Sequence, residues 1–240
     1  MVIEHNNRAN ANKFAEYITG DELRRYTARK VEQYCGRDIS LFDGAAGSGQ
    51  LAQYIKPKHI EAVEVQNEAC AALAKNYPCS VITNDSFFNY ESDVICDAVV
   101  MNPPFSMKFK DLSDVERQSI QSEFNWKKSG VVDDVFVLKS LKYTSRFGFY
   151  ILFLGVCYRK TELKFRELLG NSVVELNCIQ NAFVDTTISV LFLVTDKQKI
   201  SSEVKRELYD CKTKQALVSD LWQLDVDSWQ TVQVEHKRAV

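Results

Sequence analysis

Histidine, proline and glycine are scarce in this 240-residue chain, which has three, four and nine of them. His5, His59 and His236 are too far apart in sequence to suggest a metal cluster. Cys35, Cys70, Cys79, Cys96, Cys157, Cys178 and Cys211 are odd in number and contain no Cys-x-x-Cys pair. No metal site and no disulfide framework is therefore expected, only thiols in a reducing compartment. No apolar run approaches the roughly 20 residues of a membrane span. The first eighteen residues lack the apolar centre of a signal peptide, so the expectation is a cytoplasmic protein with no membrane partner. A Gly-Lys-Ser/Thr sequence is missing as well, which argues against a phosphate-gripping ATP loop. Net charge is −2, so contact with nucleic acid would need a local basic face.

What the chain does have is alternation. Short runs rich in Val, Ile, Leu and Phe occur at 38–43, 59–65, 79–82, 97–102 and 148–155. Near-continuous apolar runs of that length fit strands covered on both faces of a parallel sheet. Stretches 67–77 and 134–144 carry helical spacing between them, so a doubly wound α/β sheet is expected. Two later runs, 173–179 and 188–194, are too close for a helical crossover and predict an antiparallel pair. Residues 8–35 read as helical, broken and capped near Thr19-Gly20-Asp21. Past Thr195 the composition turns polar and lysine-rich, and 201–217 reads as a surface helix in a short appendage, 197–240, on a domain spanning 1–196.

The first strand runs into Asp43-Gly44-Ala45-Ala46-Gly47-Ser48-Gly49. Small residues at a strand-to-helix turn let the backbone approach a ligand closely. The second strand ends at Glu64-Val65, where a carboxylate can accept both hydrogen bonds of a ribose diol. Asp85-Ser86 ends the third strand, and Asp85 could take the exocyclic amine of an adenine. Acids at three successive strand ends repel polyphosphates and suit a nucleoside that carries a sulfonium.

The fourth strand ends in Asn102-Pro103-Pro104-Phe105. Two prolines stiffen the turn and remove two N–H donors, so the turn offers acceptors. Asn102 adds an amide oxygen and Phe105 a flat ring. Acceptors beside a stacking plate suit a planar amine or amide as substrate, whose charge they stabilise as it develops.

With these motifs in this order, residues 12–195 resemble the S-adenosylmethionine-dependent gamma-class adenine-N6 DNA methyltransferases, type I modification subunits among them. The resemblance implies a Rossmann-like sheet of seven strands, mostly parallel with one antiparallel, and helices on both faces. It implies a helical N-terminal segment, 1–36, packed on the cofactor site. It assigns cofactor binding to Thr19, Asp43, Gly44, Ala45, Gly47, Glu64, Val65, Asp85, Ser86 and Asn102. Catalysis falls to Asn102, Pro103, Pro104 and Phe105, with Phe183 as a second ring against a base flipped out of DNA. Target-strand phosphates would then meet Lys108, Lys110, Lys127, Lys128, Arg159, Lys160 and Lys164. The family's usual large recognition domain has no counterpart in the last forty-five residues (240 − 195). A separate specificity subunit or a homo-oligomer could supply that role. The clamp also fits a glutamine-N5 protein methyltransferase and an RNA base methyltransferase, and a non-catalytic DNA-binding or assembly subunit is the alternative of another class.

Overall fold

The computed structural model describes residues 19–105, 107–184 and 186–232. The helix expected before Thr19 therefore lies outside the described residues. Helix α1, Asp21–Cys35, starts at the expected break and ends at Gly36, whose φ of 74° ordinary side chains resist. Strands β1 (Ser40–Asp43), β2 (His59–Val63), β3 (Val81–Thr83), β4 (Cys96–Met101) and β5 (Thr144–Phe153) run parallel, in the spatial order β3-β2-β1-β4-β5. Helix α2 (Asn67–Asn76) links β2 to β3, and α3 (Asp114–Glu123) and α4 (Asp133–Ser140) lie between β4 and β5. Helix α5 (Leu163–Leu169) follows β5.

The strands separate two cores by their alternation. Leu41, Ala98 and Val100 face one, with Leu23 and Tyr26 of α1 and Leu73 of α2. Phe42, Val99 and Met101 face the other, with Phe136 of α4 and Phe165 of α5. Helices thus cover both faces, as expected. No helix among the described residues is long and apolar enough to cross a membrane.

Strands β6 (Val173–Gln180) and β7 (Val190–Asp196) pair antiparallel as predicted, and β7 lies between β5 and β6, antiparallel to both. The expected strand count is too low. Where a surface helix was expected, β8 (Glu203–Asp210) joins β6 in parallel and β9 (Gln215–Gln223) folds back on β8. Among the described residues the sheet has nine strands, and two of them, β7 and β9, run against the rest. The polar composition misleads because Arg206 and Glu207 of β8 are buried beside partners. Arg206 meets Asp220 of β9, and Glu207 accepts from Tyr26 of α1 at 2.7 Å.

Glu207 belongs to a buried cluster that fastens α1 to the sheet. Lys30 donates to Glu175 at 2.7 Å, and Tyr34 and Asn177 donate to the same carboxylate. Burial alone would push the Glu175 carboxyl up, but Lys30 and these donors outweigh it and hold the carboxyl below its ordinary value. Lys30→Met leaves that buried carboxylate uncompensated, and we expect a loss of about 3–5 kcal/mol in urea unfolding. A loss below about 1 kcal/mol would remove the cluster from the account of how α1 is held.

Candidate active site

A cavity of about 130 Å³ opens at the carboxyl ends of β1, β2, β3 and β4. The loop after β1 contributes Gly44, Ala45 and Gly47 to its wall, and β2 leads into Glu64 and Val65. Asp85 and Ser86 follow β3, and Asn102, Pro103, Pro104 and Phe105 follow β4. Eleven of the fourteen expected site residues therefore line this cavity, and Thr19, Asp43 and Phe183 do not.

The wall is braced by backbone donors. Gly47, at φ +52°, donates its N–H to Glu64 Oε2 at 2.8 Å, and the Gln66 N–H donates to Glu64 Oε1 at 2.8 Å. Glu64 thereby holds the glycine loop against the end of β2. Gly44 lies so close to Phe87 that a Cβ would stand 2.7 Å from its ring. Asp43 is buried and accepts from the Ala45 N–H at 3.0 Å. Burial pushes its carboxyl up to about 7, against the pull of that N–H, and the neighbouring Glu64 charge adds to the rise.

Asp85 is exposed and accepts from the N–H of Ser86 at 2.6 Å. The Ser86 hydroxyl donates at 2.6 Å to Glu116, a further acid on the cavity wall that the sequence reading missed. Its signal was present: Ser113-Asp114-Val115-Glu116 is a capping-box sequence, and both reciprocal bonds form at the start of α3.

Asn102 has two unlike ends. Its Nδ2 donates to Thr19 Oγ1 at 2.9 Å, while its Oδ1 is buried and meets no hydrogen-bond donor among the described residues. Phe105 and Phe183 stand in edge contact, with ring centroids 5.9 Å apart and planes at 71°. Phe183 is brought there by the segment that carries Thr19: Gly20 donates to the Ala182 carbonyl at 3.2 Å, and Thr19 bridges Phe183.

The basic candidates divide. Lys108, Lys110, Lys128, Lys160 and Lys164 are exposed, and Lys164 pairs with Glu167 at 3.0 Å. Arg159 is half-buried over the Phe153 ring. Lys127 is a correction: it is buried, with its ammonium on Asp134, and cannot reach a phosphate at the surface.

Residues 1–233 match the family model described as N-6 DNA methylase. The chain belongs to this family. Its fold recurs in solved structures of low identity. A type I restriction–modification methyltransferase subunit from Streptococcus thermophilus superposes with a TM-score of 0.66 at 18% identity, over 81% of this chain and 47% of that one. The type IIG restriction endonuclease BpuSI gives 0.67 at 16% identity, over 92% of this chain and 33% of its own. A protein from Pyrococcus horikoshii assigned as an RNA methyltransferase gives 0.57 at 17%, over 81% and 92%. The chain spans about half the length of the type I subunits that it matches.

Proposed function

We propose that the protein transfers the methyl group of S-adenosylmethionine to N6 of adenine in DNA. The observation that carries this reading is the buried Asn102 Oδ1, an acceptor that meets no donor among the described residues, on the wall of an acid-lined cavity. An isolated buried acceptor costs roughly 1–3 kcal/mol, so a protein that keeps one gains from a ligand donor that meets it.

The residues present fit the cofactor. Glu64, Asp85 and Glu116 make a wall that favours a cation over a polyphosphate. Glu64 would take the ribose hydroxyls, Asp85 the adenine amine, and the loop Gly44–Gly47 the close approach of the remainder. Bound there, S-adenosylmethionine supplies an electrophilic methyl group on a sulfonium. The chain does the rest by orientation. Asn102 Oδ1 accepts an N–H of the target amine and stabilises the positive charge that grows on that nitrogen. Pro103 and Pro104 bring no competing N–H to the turn. Phe105 offers a stacking face, a contact of about 1–3 kcal/mol per base. Phe183 now touches Phe105, so a flat base between them requires Phe183 to turn aside.

Removing adenine from a duplex costs a few kcal/mol, and phosphate contacts by exposed lysines such as Lys108 and Lys110 offset it. Assembly with a sequence-recognition subunit suits the relation to type I subunits. The test is incubation with methyl-labelled S-adenosylmethionine and, separately, unmethylated DNA, RNA and a glutamine-bearing protein. N6-methyladenine in the DNA is the expected product. Label confined to RNA or to protein would overturn the assignment.

A further inference from the structure

We propose that Thr19 is a positioning residue for Asn102: its hydroxyl takes the NH2 end of the amide, so that the oxygen end faces the cavity. This rests on the reading that Asn102 Oδ1 meets the substrate amine. An asparagine side chain is nearly symmetric in shape and opposite in polarity at its two ends. A half-turn of the amide would put two N–H donors where the substrate also presents N–H donors. Repulsion would then replace the stabilising contact. What prevents the half-turn is the partner at the far end.

Thr19 Oγ1 accepts the Asn102 Nδ2–H at 2.9 Å. Thr19 itself is 6% exposed, so water does not compete freely for that bond. Its backbone is fixed independently of Asn102, by the bridge to Phe183 and by the Gly20 N–H on the Ala182 carbonyl. Glycine is required there, because a Cβ at position 20 would lie 2.6 Å from that carbonyl oxygen. The threonine hydroxyl is therefore held at one point by the segment next to the second aromatic ring. From there it reads the amide. Thr19 is not among the residues that line the cavity, and its hydroxyl meets the wall at Asn102.

Two measurements on the full chain test this. In a 15N–1H spectrum without ligands, the Asn102 side-chain amide pair is identified by its loss in Asn102→Asp. Thr19→Val, of equal shape and without the hydroxyl, should shift that pair and speed its hydrogen exchange about tenfold or more, while Thr19→Ser should leave it near wild type. An unchanged amide pair in Thr19→Val overturns the proposal. In turnover, Thr19→Val should lower kcat by about 10–100-fold with cofactor affinity within about twofold, and Thr19→Ser should recover most of it. A tenfold weaker cofactor with kcat intact would instead make Thr19 a cofactor ligand, and the proposal would fall. Should Thr19→Val not fold, Thr19→Ala is read by the same criteria. A wild type that leaves DNA unmethylated defeats the functional reading alone, since the amide spectrum still decides what holds Asn102.

Discussion

Asn102→Ala lowers kcat by about 10²–10³-fold and leaves the dissociation constant of S-adenosylmethionine within about twofold; this is the largest effect we expect from one substitution. Asn102 Oδ1 is a buried acceptor on the cavity wall that meets no donor among the described residues, and the glycine loop is held by other groups. Glu64→Gln should behave in the opposite way. Its carboxylate joins the Gly47 and Gln66 amides, so the change weakens cofactor binding before it touches the chemical step. Equilibrium binding of the cofactor, measured beside single-turnover rates, separates the two. If Asn102→Ala loses cofactor affinity by tenfold or more while single-turnover chemistry persists, the role given to its oxygen is wrong.

Asp43→Asn should move stability and binding in opposite directions. The carboxyl is pushed up to about 7, chiefly by burial, whereas in the unfolded chain it titrates near the ordinary value of about 3.9. Between those values the folded chain keeps a proton that the unfolded chain has released. Stability therefore falls as pH rises through about 4 to 7, and the deficit is complete above that window. Asparagine retains the acceptor for the Ala45 N–H without the charge. Thermal unfolding of the ligand-free variant at pH 8 should show a gain on the order of 1–3 kcal/mol, with little difference near pH 4. A cation in the cavity favours the ionised form. Wild-type affinity for S-adenosylmethionine should then tighten by up to about tenfold from pH 6 to pH 8, and the variant should lose that dependence. Equal melting of the two proteins at pH 8, or a flat wild-type binding profile, would contradict this account.

Parallel strands were legible in the sequence where burial on both faces leaves near-continuous apolar runs, as in Val99, Val100 and Met101 of β4. The cavity wall was legible for a related reason: its residues directly follow the ends of those strands. Strands β8 and β9 were hidden by chemistry. Arg206 and Glu207 are buried beside partners that are distant in sequence, so their charges resemble a solvated helix until Asp220 and Tyr26 are in place. The four-residue turn between Asp210 and Gln215 also contains no glycine to announce it. Lys127 reads as a surface cation until Asp134 is folded against it. The bond between Thr19 and Asn102 joins positions 83 residues apart, and no local pattern reports it.

Strands β1 and β4 are neighbours in parallel register, Leu41 beside Ala98 and Phe42 beside Val99. The segment that would seat the methyl donor and the turn that would seat its acceptor thus leave the sheet side by side, one inter-strand spacing of about 4.8 Å apart. The peptide backbone is the jig for the reaction, and side chains only trim its settings. Repacking the cores should leave the reach between donor and acceptor unchanged. An extra residue inserted in either strand would shift one reactant past the other by a whole pleat.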